Sequence, residues 1–116
     1  YTVYKGKEVK KQENILEMYN LKVELDKNQV YLDDEKVMLT DLEYRILVLL
    51  MKQPKKTFSN QELYENVWDE SYLYTANNTI MVHIRNLRKK LKINPQSPLY
   101  IKTVWGKGYR FDGIGE

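Results

Sequence analysis

Residues 79–91, TIMVHIRNLRKKL, predict an amphipathic helix with a basic outer face. At about 100° of rotation per residue, four apolar positions fall on one side of this helix. They are Ile80, Ile84, Leu87 and Leu91. The opposite side carries no acidic residue and consists of Asn78, Val82, Arg85, Asn86 and Lys89, with Thr79 and Lys90 on one flank. We expect the helix to run from about Asn77 to about Lys92, with the apolar side on a core.

The outer side of this helix has the residue types that read base edges. Arginine bonds guanine, asparagine bonds adenine, and a small apolar side chain contacts the thymine methyl group. Val82, Arg85 and Asn86 are therefore candidate base readers. The alternative is an ordinary solvated helix face, which is the usual fate of polar residues.

The charge distribution favours contact with DNA over that alternative. The chain has a net charge of +3, but the segment from Ser71 to Phe111 has eight basic residues and no acidic one. A protein surface kept free of acidic groups attracts phosphates.

A basic hairpin follows the helix. Two β-rich runs, Tyr100 to Val104 and Tyr109 to Phe111, flank the glycine-containing turn Trp105-Gly106-Lys107-Gly108. A basic hairpin directly after a basic helix is typical of a wing. Thr103 and Lys107 are its candidate DNA contacts, and Trp105 either contacts sugar and phosphate or anchors the hairpin.

The segments before the helix predict a small sheet and two further helices. Alternation from Leu21 to Leu25 indicates a strand, and short runs at Gln29 to Leu32 and Val37 to Leu39 indicate two more antiparallel strands. Capping boxes at Thr40–Glu43 and Ser59–Glu62 predict helices that end at about Gln53 and about Trp68.

Length and composition predict one globular domain. The chain has 116 residues, 42% of them hydrophobic, and no cysteine, which excludes disulfides and thiol chemistry. We assign residues 1–18 to a linker, residues 19–112 to an α+β winged-helix domain and residues 113–116 to a tail. We expect a cytoplasmic location, since the longest apolar run, Ile46 to Met51, is too short to cross a bilayer.

Residues 79–91 together with residues 100–110, YIKTVWGKGYR, resemble the C-terminal effector domain of the OmpR/PhoB class of response regulators. The resemblance covers about Tyr19 to Phe111, and residues 77–91 are most similar to regulators of the vancomycin-resistance type. It implies a winged helix-turn-helix, an N-terminal receiver domain phosphorylated by a sensor kinase, and an interdomain linker in residues 1–18. It also implies direct-repeat operators occupied head to tail.

The same resemblance implies roles for individual residues. His83 would contact a phosphate. The alternative is that His83 lies at the edge of the helix and makes its hydrogen bonds within the domain. The loop before the helix would contact RNA polymerase through Glu70, Tyr72, Leu73 and Tyr74. This sequence departs from the family pattern at Met81, Asn86 and Trp105, where many members have aspartate, arginine and a minor-groove arginine.

These observations predict sequence-specific binding of duplex DNA for transcription regulation, as the output domain of a two-component phosphorelay. We expect weak or no dimerisation in isolation and no membrane contact. The alternative function is a winged-helix module that binds an acidic protein partner. An enzyme is disfavoured, because paired histidines, a serine elbow and an acid near His83 are all missing. No catalytic residue, cofactor or metal site is predicted.

Overall fold

An N-terminal antiparallel sheet precedes the helices. The computed structural model describes residues 10–12, 14–18, 20–68, 70–73, 76–92 and 99–113. Five strands pair in chain order. They are β1 (Lys10–Gln12), β2 (Ile15–Met18), β3 (Leu21–Glu24), β4 (Gln29–Leu32) and β5 (Glu35–Val37).

The sheet begins earlier than predicted. We expected three strands and a linker up to residue 18, but β2 pairs along its whole length with β3. Leu16 and Met18 are buried, whereas Ile15 and Glu17, which alternate with them, are partly exposed. This period-2 alternation was obscured by the many charged residues around it. The linker prediction is therefore wrong for residues 10–12 and 15–18.

Two helices follow, and both begin where their capping boxes predict. Helix α1 is Asp41–Lys52 and helix α2 is Asn60–Val67. The side-chain oxygens of Thr40 and Ser59 accept the amides of Glu43 and Glu62 at 3.2 and 3.0 Å. Each glutamate in turn accepts the backbone N–H of its capping residue. Backbone N–H groups at both helix N-termini therefore find hydrogen-bond acceptors within three residues.

The predicted third helix and the wing are also confirmed. Helix α3 spans Ala76–Lys90, and the predicted apolar residues Ile80, Ile84 and Leu87 within it are buried in the core, as is Leu91 directly after it. A three-stranded sheet has the order β6-β8-β7. Its strands are β6 (Thr57–Phe58), β7 (Leu99–Val104) and β8 (Gly108–Gly113). The predicted hairpin is β7 with β8, paired from Leu99↔Gly113 to Val104↔Gly108.

Gly108 fixes the hairpin against the start of α2. Its φ is +142°, and a Cβ atom there would lie 1.9 Å from the carbonyl oxygen of Phe58. Only glycine allows this approach, which brings the wing beside α2 and α3. Among the described residues, no helix is long and apolar enough to span a membrane.

Candidate nucleic-acid interface

The outer side of α3 is exposed as predicted. Asn78, Thr79, Val82, Arg85 and Lys89 are exposed, and Asn86 is partly buried at the edge of the face. Burial of the apolar stripe on the opposite side determines this orientation.

Met81 also lies on this exposed side, although we did not predict it as a site residue. Its side chain is 55% exposed and that of Val82 is 41% exposed. The sequence signal was present, since Met81 is an apolar residue that stands outside the buried stripe. The helix therefore presents an apolar pair within a polar and basic face.

Arg88 ties α3 to the wing. Its Nε donates to the carbonyl oxygen of Ile101 at 3.1 Å, and its Nη2 donates to Oγ1 of Thr103 at 2.8 Å. Its guanidinium also lies 5.8 Å from the ring centroid of Tyr109. Burial lowers the pKa of Arg88, and the adjacent Tyr109 opposes that shift.

Arg88 makes these contacts with β7 and β8, while the acidic residues Glu62 and Glu65 of α2 contact other side chains. Glu62 caps α2 and lies 3.8 Å from Lys56, and Glu65 accepts from Gln61. The difference arises because α3 packs with Arg88 towards β7 and not towards α2.

The wing tip presents Trp105 to solvent. Lys107 N–H donates to the carbonyl oxygen of Val104 at 2.9 Å, and Gly106 has a φ of +77°, as the third residue of a type II turn does. Trp105 is 89% exposed in this turn. The alternative that Trp105 anchors the hairpin is therefore wrong.

The other polar residues of the wing differ in their exposure and in their contacts within the domain. Lys107 is exposed beside Trp105. Thr103 is exposed, and because its Oγ1 accepts from Arg88, its hydroxyl proton can be donated outward. Lys102 and Arg110, by contrast, contact Asp112 at 3.4 and 3.0 Å, so this buried carboxylate neutralises positive charge at the base of the wing.

Lys90 is engaged elsewhere. Its Nζ lies 2.7 Å from Oε1 of Glu43, whose residue is only 2% exposed. Burial alone would raise the pKa of Glu43, but Lys90 and the hydrogen bonds from Thr40 lower it below its usual value. The geometry gives Lys90 a structural contact with α1, and its DNA contact stays a prediction.

His83 is half-buried at the edge of α3. Its Nδ1 lies 2.8 Å from the carbonyl oxygen of Thr79. Its ring is nearly perpendicular to that of Trp68, and the two ring centroids are 5.2 Å apart. A carbonyl only accepts, so the hydrogen bond assigns the proton to Nδ1. A phosphate contact would then use Nε2 of the protonated ring, since only that form has a second donor.

The loop between α2 and α3 is partly held against the domain. Tyr72 donates its hydroxyl proton to Oδ1 of Asn77, which also accepts from Asn60 at 3.0 Å. Leu73 is 65% exposed and Glu70 is exposed beside the hydroxyl of Tyr64. Tyr74 lies outside the described residues.

Six of the predicted DNA-contact residues line one groove. They are Asn78, Val82, Arg85, Thr103, Trp105 and Lys107, whereas Thr79, His83, Asn86, Lys89 and Lys90 are not among its lining residues. A cavity of 930 Å³ lies between the outer side of α3, the wing and the start of α2. Arg85, Met81 and Val82 line it from α3, and Trp105 and Lys107 line it from the wing. Asn60 and Gln61 of α2 also line it, and no feature of the sequence had singled them out.

Comparison with known proteins agrees with this arrangement. Residues 34–111 match the family described as "Transcriptional regulatory protein, C terminal". The chain is 49% identical over 111 residues to the uncharacterized transcriptional regulatory protein YrkP of Bacillus subtilis, covering 96% of this chain and 48% of that protein. It is 37% identical over 100 residues to the regulatory protein VanR of Enterococcus faecium, covering 86% and 43%.

A solved structure with a similar fold contains DNA. The RstA DNA-binding domain of Klebsiella pneumoniae, in complex with the RstA box, superposes with a TM-score of 0.78 at 29% identity, covering 86% of this chain and 98% of that one. The chain spans about half the length of the curated relatives it matches.

Proposed function

Since the chain belongs to the OmpR/PhoB-type family of C-terminal DNA-binding domains of transcriptional regulators, a non-enzymatic family, we propose that its α3 and wing read one specific duplex site. In this proposal α3 enters the major groove and the wing tip lies in the adjacent minor groove. One observation carries it: the acid-free side of α3 and the exposed wing tip border the same groove.

The residues divide into base readers and backbone contacts. We assign base reading to Asn78, Val82, Arg85 and Asn86, because arginine and asparagine can bond base edges through two atoms at once. We assign contacts with phosphate or sugar to Thr79, His83, Lys89, Thr103, Trp105 and Lys107. The exposed positions of Arg85, Lys89 and Lys107 support this division.

Selection from a random duplex pool, followed by titration of single variants, tests the proposal. Arg85→Ala should reduce the preference for the selected duplex over a scrambled one by about 1–3 kcal/mol. Lys107→Ala, the matched control, should weaken both duplexes about equally. If both variants lose the same affinity on both duplexes, the division is wrong. If the pool yields no enriched sequence, duplex reading itself must be abandoned and binding to an acidic protein partner becomes the better account.

The partners of the whole protein form a second part of the proposal. On the resemblance to OmpR/PhoB-class response regulators, we propose that a receiver domain precedes this domain in the whole protein and that two copies bind head to tail on a direct repeat. We further propose that RNA polymerase docks on the α2–α3 loop. Two observations support that role: Tyr72 is held by its hydrogen bond to Asn77, and the side chains of Glu70 and Leu73 are exposed.

A further inference from the structure

Exposed apolar side chains concentrate at the groove. Among the described residues, five large apolar side chains are exposed, and three of them line this one groove. The three are Met81, Val82 and Trp105. Single exposed apolar residues need no explanation, but their concentration on one surface marks a binding site.

Met81 and Val82 form an apolar pair inside the base-reading face. Asn78 precedes Met81 by three positions, and Arg85 follows Val82 by three, so one turn of helix separates the pair from a polar side chain at each end. Neither Met81 nor Val82 can offer a side-chain hydrogen bond of useful strength to a base. Against most base edges they would remove water from polar groups without replacing its hydrogen bonds.

Among the groups that the four bases present in the major groove, the apolar one is the C5-methyl group of thymine. We propose that Met81 and Val82 recognise thymine C5-methyl groups, so that the preferred duplex has T·A pairs opposite this part of α3. This inference rests on the proposed DNA-binding function and names the bases that α3 would read. The unbranched thioether of Met81 can adjust to the position of a methyl group, and Val82 supplies a stiff second surface.

Charge decides between DNA and other occupants of the groove. Arg85 and Lys107 line it, and α3 has no acidic residue along its whole length. An uncharged small ligand or a second copy of the chain would leave these cations unpaired, whereas a duplex pairs them with phosphates.

Uracil substitution tests the inference, because deoxyuridine differs from thymidine only by the missing methyl group. In the selected duplex each thymine is replaced in turn, and the affinity of the 116-residue chain is measured by fluorescence anisotropy. At one or two positions we expect about a three- to fourfold loss, the value of one buried methyl group. Met81→Gln or Val82→Ser should abolish the loss at one of these positions, and Met81→Leu, the apolar control, should retain it.

Each result has a defined meaning. If every uracil duplex binds as tightly as its thymine parent while a scrambled duplex still binds less well, methyl reading is refuted and the proposed function stands. If the losses persist unchanged in both Met81→Gln and Val82→Ser, other residues read the methyl groups and the assignment is overturned. If no duplex is preferred, the proposed function fails, and the inference fails with it.

Discussion

The ammonium group of Lys90 lies 2.7 Å from the buried carboxylate of Glu43, and this contact joins the end of α3 to the first turn of α1. The same carboxylate oxygen accepts the backbone N–H of Thr40, the residue that caps α1. One glutamate therefore closes the capping box of α1 and holds the C-terminal end of α3 in place. Such a role separates Lys90 from its neighbour Lys89, which is exposed on the outer side.

Lys89 and Lys90 should therefore respond differently to the same substitution. Lys90→Met leaves Glu43 buried without its partner and should lower the free energy of unfolding by about 2 kcal/mol. Lys89→Met should leave stability within about 0.5 kcal/mol and weaken DNA binding through the loss of a phosphate contact. Urea unfolding and duplex titration of both variants check this. Equal effects on stability would mean that the Lys90–Glu43 contact contributes nothing.

The pKa of Glu43 predicts how acid affects the domain. Because the folded state lowers this pKa below the ordinary 4.5, ionised Glu43 stabilises the fold above about pH 4.5. That contribution is lost as pH falls through the lower folded pKa, where the carboxylate becomes protonated. Glu43→Gln should therefore unfold more readily than the parent chain at neutral pH, and the difference should shrink below pH 4.5. A difference that is constant with pH would contradict the assigned ionisation.

Arg88 should act on DNA through the wing that it positions. Its two donated hydrogen bonds to Ile101 and Thr103 need a planar fork, which lysine cannot reproduce. We expect Trp105→Ala to weaken duplex binding in the parent chain and to do so less in the Arg88→Lys background, because the wing tip is then no longer held in place. A double-mutant cycle measures this coupling. Additive effects would show that Arg88 and the wing tip act independently.

The α2–α3 loop should affect transcription more than DNA binding. Leu73 is 65% exposed and lies away from the groove, so Leu73→Ala should leave duplex affinity and thermal stability nearly unchanged while it reduces activated transcription. Tyr72→Phe is the contrasting variant, since it removes the hydrogen bond to Asn77 and should cost about 1 kcal/mol of stability. Parallel losses of DNA binding and transcription in Leu73→Ala would rule out polymerase docking at this residue.

The sequence predicted the elements whose signals are local. Both capping boxes, the apolar stripe of α3 and the glycine-containing turn of the wing depend on residues within a few positions of one another, and the structure confirms them. The missed strand β2 was also locally encoded, but the surrounding charges concealed the alternation of Leu16 and Met18.

Contacts between distant segments could not be predicted in this way. Lys90 and Glu43 are 47 positions apart, and Arg88 reaches carbonyl and hydroxyl groups on β7. Which basic side chains have contacts within the domain therefore depends on tertiary packing, and helical periodicity alone did not reveal the contact of Lys90 with Glu43. The exposure of Trp105 likewise follows from the turn geometry and not from its residue type, which normally favours burial.

The salt dependence of duplex binding tests the central claim most directly. If the exposed cations of α3 and the wing neutralise about five phosphates, the logarithm of the association constant should fall with the logarithm of salt concentration with a slope of about −4 to −5. The selected duplex should also bind more tightly than a scrambled duplex at every salt concentration. A slope indistinguishable from zero, with equal binding of both duplexes, would contradict the account of this surface as a DNA-reading interface.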